Sequence, residues 1–175
     1  MLDFYQQNNF FTEEESSIID DILYNQNKPF PVYYDSSQTD YDKVPFFSHA
    51  LIARDGNNVS NFSDFFIPIF NRFINLTDKK VKKILRASVN LTLPFVGESP
   101  IHVDHDEDYY QVLMYLNNST GNTDIFENNK LIKSIKPVKG KIVMFNKLEH
   151  QANSPKNANE LRAVCVVTFN TKKLI

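Results

Sequence analysis

Within residues 84–93, apolar and polar residues alternate strictly from Leu85 onward, and this alternation constrains the fold more than any other feature. One face would carry Leu85, Ala87, Val89, Leu91 and Leu93, and the other Arg86, Ser88, Asn90 and Thr92. Alternate residues of a β-strand point to opposite sides, so the pattern predicts a strand with one apolar and one polar face. If helices cover the apolar face, the polar face can line a cavity.

Five further segments have strand-like composition, at 111–116, 123–127, 130–136, 141–146 and 161–170. Turn-forming residues separate them, among them Asn128-Asn129 and Ser154-Pro155. Two helices are predicted earlier, at about 13–25 and 60–76, and short strands with a loop at 31–53. Helices followed by many short strands predict a mostly β fold, a β-sandwich or jelly roll with helices on one sheet.

The first predicted helix has a clear start signal, since Thr12 can act as N-cap before three glutamates. Its apolar residues predict a buried face made of Ile18, Ile19, Ile22 and Leu23. In the second helix, phenylalanines recur near helical spacing on either side of Pro68. Both apolar faces are interpreted as packing surface.

Composition excludes several classes of function. The chain of 175 residues carries a net charge of −2 and no basic run, so nothing indicates a surface for nucleic acid. No stretch of about 18 apolar residues predicts a membrane span. The single cysteine, Cys165, lies in an apolar run and is expected to be a buried small side chain rather than a catalytic thiol. A reducing, cytoplasmic location is the default expectation.

His102 and Asp104 are the first candidates for metal binding. Residues i and i+2 of an extended strand point to the same side, so an imidazole and a carboxylate can bind one ion together. His150 is the best candidate for a third ligand. Two histidines and one carboxylate leave open positions, which suits non-haem Fe(II).

These residues, with Arg162 twelve positions after His150, resemble the signature of the Fe(II)- and 2-oxoglutarate-dependent oxygenases. The likeness is to compact prolyl-hydroxylase-like members of viral and bacterial type. Tyr115-Leu116-Asn117 and the segment 137–145 add to it, as does the strand containing Arg86. The resemblance implies a double-stranded β-helix (jelly roll, cupin-like) with Fe(II), 2-oxoglutarate and O₂, and ascorbate as a candidate reductant. It also implies that Arg162 binds the far carboxylate of 2-oxoglutarate.

Asn90 and Thr92 lie on the predicted inward face and are candidates for hydrogen bonds to 2-oxoglutarate. They could equally be ordinary polar residues of a strand, and related oxygenases often have Tyr where Thr92 stands. His105 points opposite to Asp104 in a strand and is not counted as a ligand. His49 is interpreted as a structural histidine.

The sequence predicts one domain over 1–175, with a helical support region at 1–83 and a catalytic core at 84–170. Hydroxylation of a peptide, amino acid or small metabolite is the first functional hypothesis. A nucleic-acid demethylase is an alternative, although Thr168 stands where those enzymes usually carry a second arginine. A non-enzymatic cupin-type metal-binding protein is another. Substrate-recognising loops are expected at 33–45, 107–110 and 153–160.

Overall fold

Two antiparallel sheets form the body of the protein in the computed structural model, which describes residues 2–36 and 44–172. The larger sheet has seven strands in the order β1-β8-β5-β10-β4-β3-β2, and the smaller has three in the order β7-β6-β9. The elements are β1 (Phe4–Gln7), α1 (Glu13–Tyr24), β2 (Tyr33–Asp35), β3 (Phe46–Ile52), α2 (Ser63–Ile74), β4 (Val81–Thr92), β5 (Tyr110–Tyr115), β6 (Thr123–Glu127), β7 (Lys130–Ile135), β8 (Ile142–Asn146), β9 (Glu149–Ala152) and β10 (Arg162–Thr171). The predicted jelly-roll class is confirmed.

The two faces of the large sheet have different partners. On β10, Ala163, Cys165 and Val167 belong to the apolar core that the sheet shares with α2. The alternating residues Arg162, Val164 and Val166 line a pocket on the other face. The adjacent strand β4 repeats this division, as the strict alternation of its sequence predicts.

The helices cover the outer face of this sheet. In α2, the fully buried Phe70 meets Phe169 of β10 edge to face, with ring centroids 5.4 Å apart. Pro68 lies inside α2 on its exposed side, where water can bind the carbonyl group that loses its helical donor. Aromatic packing therefore fixes the helical layer to the sheet.

The N-cap predicted at Thr12 is present, and the structure shows that it forms a capping box with Glu15. Thr12 Oγ1 accepts from the Glu15 backbone N–H at 3.1 Å, and a Glu15 carboxylate oxygen accepts from the Thr12 backbone N–H at 2.8 Å. Arg72 of α2 then binds both carboxylate oxygens of Glu15, at 2.6 and 2.7 Å. The same carboxylate thus caps one helix and joins it to the other.

Several sequence expectations need correction. The buried face of α1 was predicted to contain four residues, but only Ile19 is fully buried, and Ile18 is 37% exposed. Leu93 is 44% exposed, since β4 ends at Thr92. The first 83 residues are not only helical support, because β1, β2 and β3 extend the large sheet at both edges. Neither β1 nor β9 was predicted.

Part of the predicted loop 33–45 lies outside the described residues, which leave out 37–43. Its beginning, at Tyr33–Asp35, is the edge strand β2. Within the described ranges, neither helix is long and apolar enough to cross a membrane.

Candidate metal centre

Three predicted ligands lie together at the mouth of the β-helix. The Nε2 atoms of His102 and His150 lie 3.7 and 3.9 Å from the two carboxylate oxygens of Asp104. One ligand atom from each residue falls within 4.8 Å of the other two. Three donors at such spacing can reach a single ion between them.

Backbone pairing brings the two histidines together. His102 lies just before the sharp turn that carries Asp104, and His150 belongs to β9. Their main chains exchange two hydrogen bonds, with N–H to O distances of 3.1 and 2.9 Å. The pair therefore acts as one cross-strand rung, with imidazole rings 4.6 Å apart between centroids.

The hydrogen bonds of the rings fix which nitrogen faces the site. Nδ1 of His102 lies 2.8 Å from the carbonyl oxygen of Pro100, and Nδ1 of His150 lies 3.1 Å from that of Leu148. A carbonyl oxygen only accepts, so Nδ1 carries the proton in both rings. Nε2 is then the nitrogen with a lone pair, which is the form that binds metals.

Electrostatics favour the same protonation states. Burial lowers the pKa of His150, so its imidazole is neutral at neutral pH. Burial alone would raise the pKa of Asp104, but the nearby imidazoles of His102 and His150 and the charge of Arg86 favour the carboxylate, and the pKa is lowered. The site therefore offers a carboxylate at Asp104 and a neutral imidazole at His150, with Nε2 of His102 beside them.

Tyr109 supports the turn that holds Asp104. Its hydroxyl oxygen accepts the backbone N–H of Asp104 at 2.9 Å, and the ring is almost fully buried. Burial, and then the charge of Asp104, raises the pKa of Tyr109. His105 turns away, with Nε2 placed 2.8 Å from Thr168 Oγ1. The predicted exclusion of His105 from the ligand set agrees with this placement.

Arg162 lies in the same pocket as the three donors. Its Nε donates to the carbonyl oxygen of Gly121 at 3.0 Å, and one Nη donates to Thr123 Oγ1 at 2.7 Å. Thr123 Oγ1 also accepts from the Tyr115 hydroxyl at 2.9 Å. Two of the five guanidinium N–H groups are used, which leaves three for a ligand.

Asn90 and Thr92 both line this pocket, as the alternation of β4 predicts. The carbonyl oxygens of Asn90 and Gln111 are buried there without a hydrogen-bond donor among the described residues. The whole lining consists of Phe46, Arg86, Asn90, Thr92, His102, Asp104, Gln111, Leu113, Thr123, His150, Ala152, Arg162, Val164 and Val166. Buried polar atoms without partners are rare in proteins, so these indicate a polar ligand.

Sequence reasoning did not single out Gln111 or Thr123. Both lie in segments that were predicted as strands, but a polar residue in a strand is usually exposed. The only signal in the sequence was their position in the alternation of a strand. The folded sheets bring Thr123 against Arg162 and Gln111 against His150.

No protein-family model matches the sequence, and a comparison with curated proteins finds no match. Solved structures do match in shape. A protein from Burkholderia pseudomallei described as an oxidoreductase of the 2OG-Fe(II) oxygenase family gives a TM-score of 0.72 at 13% identity, covering 97% of this chain and 84% of that one.

Two prolyl hydroxylases are also similar. A prolyl-4-hydroxylase of Pseudomonas putida gives a TM-score of 0.68 at 14% identity, covering 97% of this chain and 92% of that one. A prolyl hydroxylase from Trichoplax adhaerens, solved with a hypoxia inducible factor peptide fragment, gives a TM-score of 0.67 at 15% identity, covering 95% of this chain and 82% of that one. The chain therefore has the double-stranded β-helix fold of the 2-oxoglutarate- and Fe(II)-dependent oxygenases, and at the level of fold the predicted resemblance is confirmed.

Proposed function

We propose that this protein is an Fe(II)- and 2-oxoglutarate-dependent dioxygenase that hydroxylates a peptide, an amino acid or a small metabolite. One observation carries the proposal. Two histidines, one aspartate and a buried arginine line a single pocket at the mouth of the fold. These are the groups needed to hold a ferrous ion and a dicarboxylate next to each other.

His102, Asp104 and His150 would hold the iron. Nitrogen and oxygen donors in this ratio suit non-haem Fe(II) and occupy three of about six positions around it. When bound, the iron supplies the activation of O₂ that drives the oxidation. The residues contribute the neutral Nε2 donors, the carboxylate, and the Tyr109 hydrogen bond that orients Asp104.

Arg162, Thr123 and Tyr115 would hold the distal carboxylate of 2-oxoglutarate. Thr123 Oγ1 accepts hydrogen bonds from both neighbours, so its own proton remains to be donated to the ligand. Burial raises the pKa of Tyr115, which keeps its hydroxyl protonated. Asn90, Thr92 and Gln111 would contact the remaining polar atoms of the co-substrate.

The overall reaction would convert a C–H bond of the substrate to C–OH. One oxygen atom of O₂ enters the product, and the other enters succinate as 2-oxoglutarate loses CO₂. Among proteins of similar fold, the Trichoplax prolyl hydroxylase was solved with a peptide fragment, which supports a peptide as one substrate class. Nothing observed in the described residues favours a nucleic-acid substrate. Thr168, which stands where nucleic-acid demethylases usually carry a second arginine, contacts His105.

The direct test separates metal binding from co-substrate binding. The protein with Mn(II) in place of iron should bind 2-oxoglutarate, and with Fe(II) and ascorbate it should form succinate. Asp104→Ala should weaken the binding of Mn(II) and abolish succinate formation. Absence of metal-dependent 2-oxoglutarate binding in the wild type would overturn the proposal.

Arg162→Met tests the carboxylate site. Loss of a bidentate charged contact in a buried pocket is expected to weaken 2-oxoglutarate binding by about 2 to 5 kcal/mol, or at least about 30-fold. The affinity for Mn(II) should stay within about threefold, since Arg162 contacts none of the three donors. Unchanged 2-oxoglutarate affinity would show that Arg162 has another role. Lys130→Met, at an exposed position of β7, is the matched loss of one charge.

A further inference from the structure

The guanidinium group of Arg86 faces the same pocket, and it has no role in the reaction as proposed above. Arg86 lies on the inner face of β4, where it lines the pocket together with Asp104. The register of β4 against β10 places Arg86 opposite Thr168, whereas Thr92 lies opposite Arg162. The two arginines thus stand six residue steps apart along one sheet face, Arg162 at the start of β10 and Arg86 near the middle of β4.

The guanidinium group of Arg86 makes no hydrogen bond and no ion pair with any residue in the described ranges, while its backbone carbonyl oxygen accepts from Thr168 Oγ1 at 3.5 Å. Its electrostatic neighbours are Asp104 and Asp35, which attract it, and Arg54, which repels it. Burial lowers the pKa of Arg86, the mark of a cation held where water is scarce. Arg86 is half-buried in the pocket wall, and a partly desolvated charge without a partner is costly, so such groups are usually paired with an anion.

Neither carboxylate nearby can serve as that anion once the site is loaded. Asp104 is a proposed metal ligand, so the ion would take up its negative charge. Asp35 is exposed on the edge strand β2 and attracts Arg86 without a direct hydrogen bond or ion pair between the two. The metal-loaded pocket would therefore be positive around Arg86.

The bound 2-oxoglutarate would not reach Arg86 either. Thr168, opposite Arg86, contacts His105 next to Asp104, whereas Arg162 contacts Thr123, whose register partner Ala152 lies two residues beyond His150. The metal centre therefore lies between the two arginines. Six steps along a strand correspond to about 20 Å between their positions on the sheet. A co-substrate anchored at Arg162 and at the metal leaves Arg86 on the substrate side.

We propose that Arg86 binds a carboxylate of the substrate, so that the enzyme acts on an acidic molecule or an acidic side chain. This inference rests on the proposed function and adds a substrate class to it. A guanidinium fork can bind both oxygens of a carboxylate, which would fix the substrate's position beside the metal. The acidic residues Asp106 and Asp108 do not oppose this, because both are exposed to solvent.

The test compares acids with their amides. Blocked aspartate against blocked asparagine, and blocked glutamate against blocked glutamine, are titrated by calorimetry into the protein loaded with Mn(II) and 2-oxoglutarate. At least one acid should bind about tenfold or more tightly than its amide, as expected for a charge-assisted contact. In Arg86→Gln this preference should fall below about threefold, and Arg86→Lys should keep part of it.

Three controls make the result specific. Lys83→Gln removes the same charge from an exposed position on the same strand and should keep the preference. Arg86→Gln should melt at the same or a higher temperature, since it removes a half-buried charge whose guanidinium has no partner among the described residues, whereas a structural role predicts a lower one. Its affinity for 2-oxoglutarate should be unchanged.

Two results would overturn the inference. One is a wild-type protein that binds no acid in preference to its amide. The other is an Arg86→Gln variant that keeps the preference or loses 2-oxoglutarate binding, which would assign Arg86 to the co-substrate. Repeating the titrations with Mn(II) alone keeps the two proposals separate. A failure of 2-oxoglutarate binding in the wild type would refute the proposed function without removing the acid–amide comparison.

Discussion

Arg72 lies in α2 on the outer side of the large sheet and Arg86 lies in β4 on its inner face, and the two side chains differ in their hydrogen bonding. Arg72, between the two helices, binds both oxygens of Glu15 and the carbonyl oxygen of Phe10. Arg86, on the other face of the sheet, has no such partner in the described ranges, and the nearby oxygens of Asn90 and Gln111 also lack donors. The helical layer is complete without a ligand, whereas the pocket is not.

The difference indicates how the two faces are used. Paired charges and aromatic contacts in the helical layer stabilise the fold. Unpaired polar groups in the pocket cost stability and are expected where a ligand will satisfy them. Substitutions in the two regions should therefore separate stability from binding.

The largest effect is expected from Phe70→Ala in the helical layer. Removing this fully buried ring should lower the free energy of unfolding by about 3 to 5 kcal/mol, since it leaves a cavity against Phe169. Urea denaturation measures the change. Leu76→Ala, at a residue 60% exposed, should cost less than about 0.5 kcal/mol. A small loss for Phe70→Ala would mean that the layer is not the stabilising region.

A smaller effect is expected from Glu15→Gln, which keeps a capping side chain but removes the charge that binds Arg72. The loss should be about 1 kcal/mol at neutral pH, because the pair is partly exposed. The matched variant Asp21→Asn breaks an exposed pair with Lys28 and should leave stability unchanged.

The same pair should show a defined pH dependence. The hydrogen bond from Arg72 lowers the pKa of Glu15 below its ordinary 4.5. The stabilisation is therefore present above about pH 4.5 and is lost as pH falls through the lowered value. Wild type and Glu15→Gln should converge in stability over that acidic range, and a constant difference would exclude the charge as its cause.

The smallest effect on stability is expected in the pocket, from Gln111→Met. Its carbonyl oxygen is buried without a donor, and its amide nitrogen lies 3.4 Å from His150 Nε2. Replacing the amide by an apolar side chain of similar size should leave the unfolding free energy unchanged or raise it by up to about 1 kcal/mol. Affinity for 2-oxoglutarate should fall severalfold. A clear loss of stability would show that the pocket, too, is complete without a ligand.

Much of the fold was predictable because its signals are local. The period of two in β4 predicted both faces, and Thr12 with Glu15 predicted the start of α1. The short strands β1 and β9 were not predictable, since four residues carry too little pattern. Both are strands because their backbones pair with neighbouring strands, β1 with β8 and β9 with β6.

The spacing of His102, Asp104, His150 and Arg162 was enough to suggest one metal site with a nearby guanidinium. The sequence determined these residue types and the alternation that places every second side chain of β4 and β10 on the inner face of the sheet. Only the tertiary structure decided that Thr123 and Gln111 join them and that the Arg86 guanidinium has no partner among the described residues, because strands distant in the chain must first pair in register. Long-range pairing sets which polar side chains meet, and local pattern does not encode it.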